Sequence, residues 1–155
     1  MDFYVNDGRS LTNIPDSSLD FLFSFDSLVH AEDEVIADYL REIARKLNPN
    51  GVGFIHHSNL GAYPPDTASP HMRSRSMTAA KFAIFCEAAG LACISQEMVN
   101  WGQAELIDCF STFTAAGSKW ERPCCRVENP RFMLEAELLK ARSLLYYPRL
   151  SAAGA

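Results

Sequence analysis

The sequence predicts an α/β sheet, and three observations predict it. Two apolar runs, Leu19 to Phe25 and Val52 to Ile55, are nearly continuous, as in strands buried on both faces. Between them, Val35, Ile36, Tyr39, Leu40, Ile43 and Leu47 recur at helical spacing. The chain then alternates strand, helix, strand, helix and closes on a strand pair, the order of an α/β fold with flanking helices.

Each element has its own punctuation. Phe3 to Val5 is a short apolar run closed by Asn6-Asp7-Gly8, and it predicts a first strand. Leu19 to Phe25 follows the turn residues Pro15-Asp16-Ser17-Ser18 and predicts the next. The helix over Glu32 to Leu47 begins with Glu32, Asp33 and Glu34 and ends with Arg41, Arg45 and Lys46, charges that suit the helix dipole. Asn48-Pro49-Asn50-Gly51 is expected to stop it. In Val52 to His57 an apolar strand turns polar at its end, and a Gly/Pro/Ser-rich loop runs from Ser58 to about Ser76. Thr78 is the expected N-cap of a helix whose face is Phe82, Phe85, Cys86 and Ala89 and which ends at Gly90. Ala92 to Val99 and Ile107 to Thr114 read as two strands joined through Asn100-Trp101-Gly102-Gln103. After a loop from Gly117 to Glu128, Asn129-Pro130 opens a last amphipathic helix to about Tyr147.

The 155 residues carry a net charge of -5, the wrong sign for an electrostatic nucleic-acid binder. Residues 1–115 hold a charge of -8 and residues 116–155 one of +3, which marks the last forty residues as a separate loop-and-helix segment. The start has no basic region leading into a long apolar core, and no stretch approaches the roughly eighteen apolar residues of a membrane span. A soluble cytoplasmic protein without membrane partners is expected. The five cysteines, Cys86, Cys93, Cys109, Cys124 and Cys125, fall in or beside apolar runs without paired CxxC spacing, and read as reduced, mostly buried small hydrophobes. The histidines at 30, 56, 57 and 71 offer no helical i, i+4 pair and no carboxylate at a ligand spacing, so no metal site is expected. No cysteine opens a helix beside a histidine, which leaves cysteine nucleophilic catalysis without support. Trp101 and Trp120 read as packing anchors.

Three stretches carry a family resemblance: Asn6-Asp7-Gly8-Arg9-Ser10-Leu11, Ile14 through His30, and Leu47 through Asn59. Together they resemble class I methyltransferases that use S-adenosylmethionine. The resemblance covers about three quarters of the chain, and implies a partial Rossmann-like sheet, strands three to seven of the family pattern, with a C-terminal helix beyond it. It implies that Asp7-Gly8, in the turn after the third strand, lies near the adenine, although Asp-Gly is also an ordinary turn pair. It implies that Phe25, Asp26 and His30, at and beyond the end of the fourth strand, line the methionine end of the cofactor and the acceptor pocket. Thr78 to Thr114 is similar to the family's final helix and hairpin.

The departure from the family is equally specific. The first strand with its glycine-rich turn and the second strand with its ribose-binding acid are not found. The one Gly-x-Gly, Gly51-Val52-Gly53, leads from a helix into a strand, whereas a cofactor-cradling turn leads out of a strand into a helix. The sequence therefore reads as a methyltransferase beginning at its third strand, or as a truncated product of a longer reading frame. Without the first strand the run Phe21 to Phe25 has an open edge, which predicts a homodimer, a swapped assembly or a partner chain completing the sheet.

For O-methyl transfer an acceptor hydroxyl must lose a proton, and a histidine with an ordinary pKa near 6.5 suits that task. His57 or His30 is the expected base, the alternative being a structural histidine in either place. Alternation sends His56 and His57 to opposite faces of the sheet, and His56, Ser58 and Asn59 are expected to orient the acceptor. His71, Arg73 and Arg75 read as a solvated loop, with closure over an anionic acceptor as the alternative. Two functions follow: methyl transfer from S-adenosylmethionine to oxygen of a small sugar or metabolite, or a non-catalytic binding or assembly module that keeps the acceptor half of the fold.

Overall fold

In the computed structural model, which describes residues 3–69 and 71–146 and the side chains of the last helix through Arg142, the apolar runs form one five-stranded sheet. Its elements are β1 (Leu19–Ser24), α1 (Asp33–Lys46), β2 (Leu47–Ser58), α2 (Ala79–Ala88), β3 (Leu91–Val99), β4 (Asp108–Ala115), β5 (Cys125–Asn129) and α3 (Phe132–Tyr146). The strand order is β1-β2-β4-β3-β5. β1 runs parallel to β2 and β5 parallel to β3, while β4 is antiparallel to both of its neighbours.

One face of this sheet is covered and builds the core. The helical stripe of α1 buries Ile36, Leu40 and Ile43, and α2 buries Phe82 and Cys86. They meet Ile55 of β2, Leu91 of β3 and Phe113 of β4 in one cluster. Thr78 caps α2 as expected, its hydroxyl accepting from the Lys81 backbone N–H at 3.0 Å. Gly90 follows the helix at φ +76°, a left-handed position that glycine adopts without a Cβ penalty. Gly53 is a packing residue: a Cβ there would lie 2.2 Å from Cζ of the buried Phe113 ring.

The opposite face is only partly covered. Phe21 and Phe23 are 60% and 61% exposed, so β1 is not buried on both faces as its apolar run implies. Their rings continue through Phe25 and Phe54 to Phe110 as an aromatic ladder, with centroids 5.3–6.3 Å apart. Trp101 and Phe132 cover only its far end. Among the described residues β1 also has no neighbour on its outer edge.

Four further expectations are corrected. Phe3 to Val5 is exposed coil, because no described strand lies beside it to accept its backbone groups; the segment after it is instead tied to α1, Arg9 to Asp38 at 2.9 Å and the Leu11 N–H to Glu42 at 3.2 Å. The residues Asn48-Pro49-Asn50-Gly51 do not form a separating turn, since β2 starts at Leu47, where pairing with Leu19 captures the backbone straight out of α1. The Gly117 to Glu128 loop contains the start of β5, an exposed edge strand held by β3, so the sheet runs across the boundary at residue 115. In α3, Leu134, Leu138 and Leu139 are exposed where an amphipathic helix would bury them, while Phe132 packs on Trp101 and Phe110. The cysteines also divide: Cys86 and Cys109 are buried, Cys93 and Cys124 partly so, and Cys125 is exposed. Among the described residues no helix is long and apolar enough to cross a membrane.

Candidate functional site

At the carboxyl ends of β1 and β2 four polar side chains converge. β1 runs out through Phe25 into Asp26, which adopts φ +52°, a left-handed turn that Asp tolerates better than most residues. That turn aims the Asp26 backbone N–H at Nδ1 of His56, 3.1 Å away on β2. Because Nδ1 accepts, the proton of the neutral ring sits on Nε2, which donates to Asp108 of β4 at 2.9 Å. Arg73 completes the group from the loop before α2. Its Nε and Nη2 grip both oxygens of Asp108 at 2.8–3.2 Å, and Nη2 also reaches Asp26 at 3.2 Å. The guanidinium lies 5.6 Å from the ring centre of Trp101.

Burial sets the character of this quartet. His56 and Asp108 are fully buried and Arg73 is 5% exposed, while the Asp26 side chain is about half exposed at 49%. Two carboxylates face one guanidinium and a neutral imidazole, so the site carries one negative charge in excess, and Asp26 presents it to solvent. Phe25 stands beside it, 43% exposed, its ring 5.0 Å from that of His56 and 6.0 Å from that of Trp101.

His30 lies close by on an exposed turn. Its Nδ1 is 2.9 Å from the Met72 carbonyl, which only accepts, so Nδ1 carries the proton of the neutral ring and Nε2 holds a free lone pair. The segment bearing Met72 and Arg73 is stitched to this turn: Ser74 N–H donates to the Val29 carbonyl at 3.1 Å, and Ser74 Oγ donates to Glu32 at 3.0 Å.

His57 sits on the opposite sheet face from His56, as alternation requires. Its ring stacks on Phe82 at 4.3 Å, Nδ1 donates to the Ser58 carbonyl and Nε2 accepts from Ser111, both at 2.8 Å. Both nitrogens are occupied and the residue is fully buried, a packing role. Desolvation pushes its pKa down from 6.5 to about 4. An unfolded chain takes up a proton near pH 6.5 that the folded chain refuses until about pH 4. The His57 contribution is therefore present above pH 6.5 and falls by about 3 kcal/mol as the pH drops toward 4. Urea denaturation of the protein at pH 7 and pH 4.5 should show that loss, and His57→Gln should flatten it. An unchanged slope in the variant would assign the acid sensitivity elsewhere.

Ser58 and Asn59 spend their polar atoms on structure. Ser58 Oγ donates to the Ser74 carbonyl at 2.6 Å and accepts from Leu60 N–H at 3.0 Å. Asn59 bridges Leu106 and the first N–H of α2 at 2.8–2.9 Å. Asp7 forms its own turn, Oδ1 accepting from the Arg9 and Ser10 N–H groups, which hold its carboxyl below the usual range; Gly8 follows at φ +78°. At the end of β1 lies a cavity of 190 Å³, lined by Leu11, Ser24, Ser27, Leu28 and Tyr39. A larger cleft of 530 Å³ opens beside Asn59, Tyr63, Thr78 and Arg126, and none of the quartet lines it.

Sequence reasoning overlooked Asp108 and left Arg73 in a solvated loop. The signal for Asp108 is its type, since a carboxylate entering a strand as apolar as Ile107 to Phe113 requires a buried partner. Nothing in the loop sequence distinguishes Arg73 from Arg75, whose Nη2 donates to the exposed Thr67 carbonyl.

Residues 1–55 match the family model described as a methyltransferase domain. The chain is similar to the solved PH0226 protein of Pyrococcus horikoshii OT3, with TM-score 0.54 and 17% identity over 74% of this chain and 59% of that one. It is similar to a complex between the Haloferax volcanii Trm112 methyltransferase activator and a methyltransferase, with TM-score 0.51 and 19% identity, covering 74% and 61%. The CcbJ methyltransferase of Streptomyces caelestis gives TM-score 0.52 and 14% identity, covering 72% and 62%. The chain thus spans about six tenths of the length of these structures. No curated protein matches it in sequence.

Proposed function

We propose, for a chain that carries part of a class I methyltransferase fold, that the carboxyl ends of β1 and β2 serve methyl transfer from S-adenosylmethionine to an oxygen of a small acceptor. The observation that carries this reading is the excess carboxylate charge of Asp26 beside the half-exposed ring of Phe25. A positive group with a methyl substituent gains from both, through Coulomb attraction and cation–π contact. The donor's sulfonium end fits that pair. Its nucleoside half finds less: among the described residues no glycine turn leads from a strand into a helix, and Asp7-Gly8 is the one turn proposed to face the adenine. When bound, the donor supplies an activated methyl group.

The chain's own residues then have distinct tasks. Arg73 and Asp108 fix His56, and through its ring the Asp26 turn, so the exposed carboxylate keeps its orientation. His30 accepts the acceptor's proton at Nε2, its tautomer set by Met72. His57, closed off from solvent, is left to the core, and Ser58 and Asn59 shape the wall rather than bind through free polar atoms. The open edge of β1 and the exposed rings of Phe21 and Phe23 support a second copy or a partner chain completing the sheet.

Native mass spectrometry of the purified chain, with and without S-adenosylhomocysteine, tests both parts in one spectrum. The expected result is a dimer, or a hetero-assembly with the completing chain, that takes up the ligand. A ligand-free monomer at every concentration would overturn the association and the binding. An assembly that never takes up ligand would favour the second reading, a non-catalytic assembly module, for which the engaged polar atoms of Ser58 and Asn59 speak.

A further inference from the structure

Three of the five thiols meet at the end of the sheet away from β1. Cys93, near the start of β3, and Cys124, directly before β5, lie across the parallel β3–β5 pair with their sulfurs 3.9 Å apart. Cys86 of α2 belongs to the buried cluster against which Cys93 packs. Cys93 and Cys124 both line a surface cleft of 370 Å³, together with Ala83, Glu87, Gly90 and Ala116, so a small solute reaches them without unfolding. Among the described residues no group of three histidine, cysteine or acidic side chains is arranged to hold a metal ion.

We propose that Cys93 and Cys124 are a site of oxidative modification, a dithiol that a hydroperoxide converts to a disulfide across β3 and β5. The Cys93 thiolate attacks the peroxide oxygen, the O–O bond breaks, and the departing alkoxide or hydroxide takes a proton to leave as alcohol or water. Cys93 is then a sulfenic acid. The Cys124 sulfur attacks it, the S–S bond forms, and hydroxide leaves with the Cys124 proton as water. Two thiols are oxidised and one peroxide is reduced. The environment assigns the order of events. The neighbouring thiols of Cys86 and Cys124, with the charge of Arg126, hold the Cys93 pKa down to about 7 against its burial, whereas the interaction with Cys93 and burial push Cys86 up, and burial with the neighbouring thiols pushes Cys124 up. Cys93 is thus the nucleophile and Cys124 the resolving thiol. Cys109, buried and pushed up to about 12, stays outside the exchange.

The disulfide fastens the start of β5 covalently to its sheet neighbour β3, and β5 leads into α3, whose Phe132 covers the Trp101 and Phe110 rings. Oxidation of one sheet edge therefore fixes part of the cover over the aromatic face. This is independent of any methyl transfer.

The test is graded hydrogen peroxide treatment of the full folded chain, alkylation of the remaining thiols, and tryptic mapping without reductant. Cleavage after Lys81, Lys119 and Arg126, with Arg122 protected by Pro123, yields peptides 82–119 and 120–126. The expected product joins these two peptides, and fragmentation of the parent protein assigns the bond to Cys93 and Cys124, a readout that needs no variant to fold. The link should persist in Cys125→Ser and fall at least about 10-fold in Cys93→Ser and Cys124→Ser. A Cys86–Cys93 bond within 82–119, a bond to Cys125 in the parent, or sulfinic acid at Cys93 without any cross-link would each overturn the proposal.

Discussion

Replacing Arg73 by methionine is expected to cost about 3–5 kcal/mol of stability, because it strips the paired cation from a buried carboxylate. Asp108 has no exposure, and what remains beside it in the variant is the neutral Nε2–H of His56. One hydrogen bond does not compensate a desolvated charge, so Asp108 must bind a proton, admit water or pull the loop open. The Asp26 contact contributes little to this figure, since its side chain is half solvated and its attraction to Arg73 is screened. A second variant separates charge from packing. Arg73→Met combined with Asp108→Leu removes both ions, but leaves the Nε2–H of His56 without an acceptor and so should recover only part of the loss, about 1–3 kcal/mol remaining. Urea unfolding at pH 7 measures both, with the midpoint shifting and the slope unchanged. A single-variant loss below about 1 kcal/mol would mean that water already reaches Asp108.

The same quartet shows what a sequence does and does not disclose. The strand runs are legible as apolar stretches bounded by turn residues, and the stripe of α1 because burial of one helix face imposes a period on the chain. Neither signal needs knowledge of neighbours, which is why β1 reads as buried on both faces while Phe21 and Phe23 are exposed. Thr78 and Gly90 are legible for a related reason, as caps act within a few residues. The parity of His56 and His57 follows from the pleat alone. Their fates do not, for what meets each ring comes from elsewhere in the chain, Asp108 on one face and Phe82 on the other. β5 was hidden because an exposed edge strand carries no apolar alternation, and only pairing with β3 makes it a strand. Phe3 to Val5 errs the other way, an apolar run that reads as a strand where no described neighbour supplies a ladder. Arg73 and Asp108 lie 35 residues apart in loop and strand, a distance over which no local pattern pairs a cation with an anion.

Replacing His30 by asparagine should lower kcat by about 100-fold or more in an assembly that binds S-adenosylhomocysteine, with KM little changed. The choice of asparagine follows from the geometry. Its side-chain N–H₂ takes the place of Nδ1–H and keeps the bond to the Met72 carbonyl, so the turn and the segment carrying Arg73 hold their positions. What is lost is the lone pair of Nε2 and with it the proton acceptor. Two readouts distinguish this from a structural effect. The urea midpoint should stay within the error of the parent, and uptake of S-adenosylhomocysteine should be unchanged, so that the loss lies in kcat alone. His57→Gln should behave in the opposite sense, altering the acid stability of the fold while leaving kcat near that of the parent. A His30→Asn rate within about 3-fold of the parent would remove His30 as the base and leave the acceptor to lose its proton to water, a path open to an acidic hydroxyl such as a phenol but slow for a sugar hydroxyl.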